Sequence, residues 1–254
     1  MALFTDGPIA DMEDLTAQDT QLTNVANVEG IDVTQKLFLA QEELAIEITT
    51  LLNGPGRAEQ AIWLSARPKI DNVVVTPALK LWHTFRTLES VYGDAYSSQL
   101  NDRYSTKRDQ FHGRANWAYE RLLLTGIGIA LSPIPRAAEP QIAAAEGGLE
   151  NGTYYVAVTW TNNKGEEGAP SIVTALTTTA TSFVVQPAAP PASATGWNVY
   201  AGTDPEALSR QNGAPIAVAQ TWLQPNEILS GGTGPGCGQS PNYLMPMPRM
   251  ILRG

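Results

Sequence analysis

The stretch GTYYVAVTWT, residues 152–161, decides how the second half of this chain is read. Tyr154, Val156, Val158 and Trp160 fall on one side of an extended segment, and Tyr155, Ala157, Thr159 and Thr161 on the other. That alternation is the mark of a half-buried strand. The NNKG run at 162–165 supplies a turn. Short strand-like runs follow at 171–178, 182–186, 196–201 and 215–222, separated by Pro, Gly, Asn and Asp. Short strands at this spacing predict an all-β sandwich over residues 137–227. Glu166 and Glu167 stand beside the turn and read as solvated carboxylates, because one neighbouring pair does not make an acid/base site.

Upstream the period changes to that of helices. A short helix is expected over 16–28, opened by a threonine cap and closed near Gly30. In the next segment Asp32 and Thr34 are capping candidates; Leu37, Gln41, Leu44, Ile48, Leu51 and Leu52 recur at helical spacing until the NGPG run at 53–56 stops it. Glu42, Glu43 and Glu47 take the other face. Residues 54–75 read as a long connection, with a possible short strand at 72–75. Thr76-Pro77 then announces a third helix: the threonine oxygen accepts an otherwise unpaired N–H, and proline at the first helical position forfeits no hydrogen bond. Leu81, Phe85, Leu88, Tyr92 and Ala95 line one face of it. A fourth helix, capped at Ser105, carries Phe111, Ala115, Ala118 and Leu122 and ends at the prolines of 131–135. Residues 1–136 therefore read as a small antiparallel helical bundle.

Past residue 227 neither period holds. The GGTGPG run at 231–236 reads as a flexible hinge. The tail NYLMPMPRMILR, residues 242–253, is apolar but broken by proline, so it is expected to be extended. An apolar tail of this kind is a liability unless something buries it. The predicted fold class is thus α+β multidomain: helical bundle 1–136, immunoglobulin-like all-β sandwich 137–227, extended C-terminal arm 228–254.

Composition narrows the function. Of 254 residues, 43% are hydrophobic and 16% charged, enough apolar material for packed cores. A net charge of −9 argues against coating DNA or anionic membranes. The charge is uneven: residues 1–53 hold ten acidic side chains against Lys36 alone, while 67–136 hold ten basic and six acidic. In a ring of identical copies, the acidic segment of one could meet the basic helices of the next. The single cysteine, Cys237, supports neither a disulfide framework nor a metal site. No secretory leader and no membrane span is read.

Catalytic motifs are missing from the sequence. His83 and His112 lack the spacing of a metal pair, so both read as packed or surface histidines. No nucleophile elbow, phosphate loop or dinucleotide fingerprint is present. Trp82, Trp117, Trp160, Trp197 and Trp222 fall on predicted stripes or strands, and core packing is the reading for most of them. The expectation is a non-enzyme with no cofactor and no metal.

Two groups of residues resemble known families. GTYYVAVTWT with GEEGAPS (165–171) and ATGWNVYAGT (194–203) is similar to the fibronectin type III-like domains of tailed-phage virion proteins. The helical part, with LT at 15–16, EGID at 29–32, QEE at 41–43 and WHTF at 82–85, resembles head–tail connector adaptors of long-tailed phages. That resemblance implies a virion protein at the head–tail junction, made in the host cytoplasm. It implies a homo-oligomeric, commonly dodecameric ring below the portal protein, next to a neck or tail-completion protein. DNA would pass through the channel without sequence-specific binding. It also implies that the C-terminal arm docks on the portal or a neighbouring subunit, through Tyr243, Leu244, Met245, Met247, Met250, Ile251 and Leu252. The alternative is a virion decoration or host-carbohydrate-binding module working through the sandwich, with Trp197 and Trp222 as its stacking residues.

Overall fold

The computed structural model describes residues 1–53, 68–99, 102–236 and 238–245. They form a mixed α+β protein whose sheets are antiparallel. The chain divides into two compact units: Gly7–Leu131 together with residues 241–245, and Met1–Asp6 together with Ser132–Ser240. This division differs from the expected one. The change comes after residue 131, the first six residues belong with the strands, and of the expected arm the described residues up to 240 belong to the strand unit and 241–245 to the helical one, while 246–254 lie outside the described residues.

In the helical unit, α1 (Met12–Gln18) and α2 (Leu22–Glu29) replace the single helix expected over 16–28. The cap is Asp11, in a reciprocal box with Asp14, and not a threonine. Asp19 makes the break. Its side chain is buried, accepting from the Gln21 N–H at 3.0 Å, from the Tyr92 hydroxyl at 2.7 Å and from Lys107 Nζ at 2.8 Å. Burial alone would raise its pKa, but the bonds from Lys107, Tyr92 and Gln21 outweigh that and hold the carboxyl below the usual range. A helix running straight through this position would give up that set of bonds.

The third helix, α3 (Val33–Asn53), buries Val33, Leu37, Ala40, Leu44, Ile48 and Leu52, with Asp32 accepting from the Gln35 N–H at 3.0 Å. Gln41, predicted on the apolar stripe, instead donates to the Gly7 carbonyl at 3.0 Å. Residues 54–67 of the predicted connection lie outside the described residues. After a single 3-10 turn at Ile70–Asn72 comes α4 (Pro77–Gln99), which packs against α1, α2, α3 and α5. Being central, α4 is buried on more than one stripe: Trp82, His83, Thr84 and Phe85 are consecutive and all buried. The last helix, α5 (Asp102–Thr125), begins three residues before the expected Ser105 cap and buries Phe111, Ala115, Ala118 and Leu122. It stops at Gly126, whose φ of +92° suits glycine, short of the expected end near 131. The strand β1 (Ile127–Ile129) follows, bridged to Val73.

The acidic and basic segments meet within this unit: Lys80 pairs with Asp14, Lys107 with Asp19 and Arg86 with Glu43. Part of the charge asymmetry seen in sequence is therefore settled inside one chain.

The strand unit holds two sheets. One has the order β2 (Gln141–Ala145), β5 (Ser182–Gln186), β9 (Trp222–Leu223). The other runs β4 (Thr174–Thr178), β3 (Gly152–Thr161), β6 (Gly196–Gly202), β7 (Ser209–Arg210), with β8 (Ile216–Ala217) also paired to β6. The run 215–222, expected as one strand, supplies β8 to one sheet and the first residue of β9 to the other. One core draws on both sheets, with Tyr154, Val156, Val158 and Trp160 from β3, Phe183 and Val185 from β5, and Trp197 and Val199 from β6. Each such side chain contributes about 1.5–3 kcal/mol by leaving water. The opposite faces of β3 and β6 are buried too, Ala157, Thr159 and Tyr200 among them. The glycine run at 231–236 is no hinge here: the Thr233 carbonyl accepts from the Arg210 N–H at 2.9 Å, so it runs along β7. Gln239 ties the ends of this unit together, accepting from the Ile134 N–H at 2.7 Å, while its carbonyl takes the N-terminal ammonium at 3.1 Å.

A final strand, β10 (Asn242–Leu244), returns to the helical unit and pairs antiparallel with β1.

Candidate functional site

The pairing of β10 with β1 is the structural setting of the predicted arm. Its register sets Ile127 opposite Leu244, Gly128 opposite Tyr243 and Ile129 opposite Asn242. Two glycines admit it. A β-carbon at Gly128 would stand 2.7 Å from Thr76 Cγ2, and one at Gly126 would stand 3.0 Å from Met245 Sδ. Side chains alternate along a strand, so one face of β10 meets the unit while the other is presented outward. Tyr243 is 53% exposed and Met245 49%, whereas Leu244 is half-buried. Met247, Met250, Ile251 and Leu252 lie outside the described residues.

Tyr243 forms one wall of a groove of about 580 Å³, with Pro77, Ala78 and Leu81 from the start of α4 and Trp117 and Arg121 from the end of α5. Trp117, expected in a core, is 50% exposed. Arg121 lies over its ring at 6.0 Å. The groove is largely apolar, with Arg121 as the charged residue of its lining.

A second groove, of about 440 Å³, runs between α3, α4 and α5. Its polar groups are joined in a chain. Arg86 donates to Glu43 and to Glu89, each at 2.9 Å; His112 Nδ1 donates to Glu89 at 2.9 Å and its Nε2 accepts from Asn116 at 3.0 Å. Beneath them Trp82 and Tyr119 pack with ring centroids 4.9 Å apart. These bonds join three helices through Glu43, Arg86, Glu89, His112 and Asn116, while Glu47, which also lines the groove, has no ionic partner among the described residues.

His83 is buried with its Nε2 donating to the Leu37 carbonyl at 3.0 Å, and its Nδ1 has no partner among the described residues. Burial lowers its pKa, only partly offset by the Leu37 bond and the charge of Asp14. The unfolded chain therefore takes up the proton first. Stability from this residue is complete above the ordinary imidazole value of 6.5 and is lost as pH falls from there toward the folded value. His83→Gln keeps a donor for the Leu37 carbonyl and removes the titration. Urea unfolding at pH 7.5 and at pH 5 is expected to show a smaller loss of stability on acidification in this variant than in the wild type.

In the strand unit, Glu167 departs from its expected solvated role. Its Oε1 accepts from the Thr159 hydroxyl, from the Tyr200 hydroxyl at 2.5 Å and from Asn198 Nδ2 at 3.1 Å. Asn198 Oδ1 in turn accepts from Arg210 Nη2 at 2.7 Å and Asn212 Nδ2 at 2.9 Å. Burial first, then the bond to Glu167, pushes the Tyr200 phenol up, so it stays a neutral donor. Sequence spacing gave no hint of this network, because its members come from β3, β6, β7 and two loops. Trp197 is wholly buried with its indole N–H on the Ala217 carbonyl at 3.2 Å, which removes it as a glycan-stacking residue. Trp222 is half-buried.

Among the described residues no group of three or more His, Cys, Asp or Glu is placed to hold a metal ion, and no helix is long and apolar enough to cross a membrane. No protein-family model matches this chain, and no curated protein matches it in sequence.

Proposed function

We propose that this chain is a structural virion protein, a head–tail adaptor that assembles as a ring below the portal around the DNA channel. In this reading the helical unit is the ring-forming bundle and the strand unit an immunoglobulin-like sandwich of the fibronectin type III kind. The C-terminal arm docks on the portal or on a neighbouring subunit. The observation that supports it most is the way the arm leaves the helical unit: β10 is anchored on β1, and Tyr243 within it and Met245 just after it stand about half exposed. An anchored strand delivers the residues after it from a fixed point, which lowers the entropy cost of docking. The carboxylates Glu43 and Glu89 of the helical groove are held by Arg86 and His112, and the Glu167 network is engaged within itself, which suits a structural part better than an enzyme.

The test is a pair of truncations. Deleting 246–254 keeps β10 and is expected to leave the melting temperature within about 2 °C while abolishing co-sedimentation with portal rings. Deleting 241–254 also removes β10 and is expected to destabilise the helical unit. Portal binding that survives the shorter deletion overturns the arm assignment.

A further inference from the structure

We infer that Asn151 is a site of spontaneous covalent modification, losing ammonia to become aspartate or isoaspartate at the entrance to β3. Asparagine followed by glycine occurs at three places in the chain, 53–54, 151–152 and 212–213. The chemistry open to each pair is the same. The glycine backbone nitrogen, having given its proton to hydroxide, attacks the asparagine Cγ; the side-chain nitrogen leaves as ammonia and a five-membered succinimide closes. Glycine favours this step because it has no β-carbon to hinder the approach. Water then opens the ring. Opening at Cγ gives aspartate on an unchanged backbone, whereas opening at the backbone carbonyl gives isoaspartate, in which the main chain runs through Cγ. The balance is asparagine and water in, an acidic residue and ammonia out.

The structure separates pairs that the sequence leaves alike. Asn212 is 5% exposed and tied down: its Oδ1 accepts from the Val199 N–H at 3.0 Å, and its Nδ2 donates to Asn198 Oδ1 at 2.9 Å and to the Ala214 carbonyl at 2.8 Å. Its carboxamide cannot swing toward the Gly213 nitrogen without breaking those bonds. Asn53 closes α3 with its Nδ2 on the Thr49 carbonyl at 2.9 Å, and Gly54 lies outside the described residues. Asn151 is exposed in the bend before β3, and its side chain has no hydrogen bond among the described residues. Gly152 has room for the ring, since even a β-carbon there would meet only Tyr154 Cε2, at 3.9 Å. It also pairs with Thr178 at the very end of the ladder between β3 and β4, where local opening is easiest. Position decides the consequence as well. Just before Asn151, the Glu150 carbonyl accepts from the Tyr154 hydroxyl at 3.0 Å and the Thr178 hydroxyl at 3.2 Å. Isoaspartate inserts an extra backbone atom between that anchor and the Gly152–Thr178 pair, so the first rungs of the ladder loosen. None of this depends on the adaptor reading.

The experiment incubates the full chain at neutral and at mildly alkaline pH, then digests it with trypsin under mildly acidic conditions, where the reaction is slow. Fragmentation mass spectrometry tells Asn151 from Asn162 and Asn163 in one tryptic peptide and finds Asn212 in another. In the folded protein Asn151 is expected to convert at least tenfold faster than Asn212, and faster at the higher pH. In urea, where neither side chain is held, the two rates are expected to agree within a few-fold. Gly152→Ala crowds the attacking nitrogen yet has space for its methyl; it is expected to slow Asn151 at least tenfold with little change in melting temperature. Equal rates at Asn151 and Asn212 in the folded chain overturn the assignment, and so does a rate at Asn151 that Gly152→Ala leaves unchanged. For the consequence, the isoaspartate form is isolated by chromatography and compared by hydrogen exchange with Asn151→Asp, which carries the charge on an ordinary backbone. Faster exchange over 152–156 and 174–178 is expected in the isoaspartate form alone. Equal exchange in the two overturns the loosening of the ladder.

Discussion

Glu167→Ala is expected to lower the stability of the strand unit by about 3 kcal/mol, a substantial share of the roughly 5–15 kcal/mol by which such units are stable. One carboxylate oxygen serves three donors, from Thr159, Tyr200 and Asn198. Thr159, Tyr200 and Asn198 are buried, so an orphaned donor there regains no water easily. Each such donor costs about 1–3 kcal/mol, and partial rearrangement keeps the sum below three full penalties. Glu167→Gln retains an acceptor oxygen but loses the charge that strengthens all three bonds, so about half the loss is expected. Thermal unfolding followed by near-ultraviolet dichroism of the strand-unit tryptophans reads both, with a drop of roughly 10 °C for alanine. A silent Glu167→Ala would mean the network holds nothing together and would reopen the carboxylate for a functional role.

What was legible in the sequence was whatever one local rule governs. The start of α4 follows from Thr76-Pro77, β3 from the alternation in 152–161, and β5 and β6 from short runs of β-branched and aromatic residues set off by turn residues. Features decided by distant partners were not legible. Asp19 splits the first helix because Tyr92 and Lys107, more than seventy residues away, meet it. Strand β2, an alanine-rich run, extends because β5 offers it a ladder, and β1 hides in the shadow of the preceding helix. Glu167 looked solvated because its donors come from elsewhere in the unit. The arm was read as extended, and its first residues are, but its pairing with β1 depends on two glycines whose purpose shows only when Thr76 and Met245 are beside them. Of the seven docking residues expected, Tyr243, Leu244 and Met245 can be placed.

Gly128→Val should displace β10 from the helical unit. The added β-carbon would stand 2.7 Å from Thr76 Cγ2, 3.0 Å from Pro241 Cβ and 3.3 Å from the Val74 carbonyl oxygen. Thr76 cannot easily retreat, since its hydroxyl accepts from the Leu79 N–H at 3.4 Å at the start of α4. Val74 cannot either, because its N–H donates to the Gly128 carbonyl at 2.9 Å. The part with least to hold it is the strand at 242–244, so overpacking of about 2–3 kcal/mol is relieved by letting it go. Limited digestion with chymotrypsin reads this directly: cleavage after Tyr243 and Leu244, slow while β10 is paired, is expected to rise at least tenfold. Gly128→Ala should have a smaller effect in the same direction. Combining it with Thr76→Ser removes the nearest methyl while keeping the capping hydroxyl, and recovery of protection in that double variant would show that the clash and not a general loss of stability frees the strand. Digestion and melting that match the wild type in Gly128→Val would mean that β10 does not pair with β1 in this register.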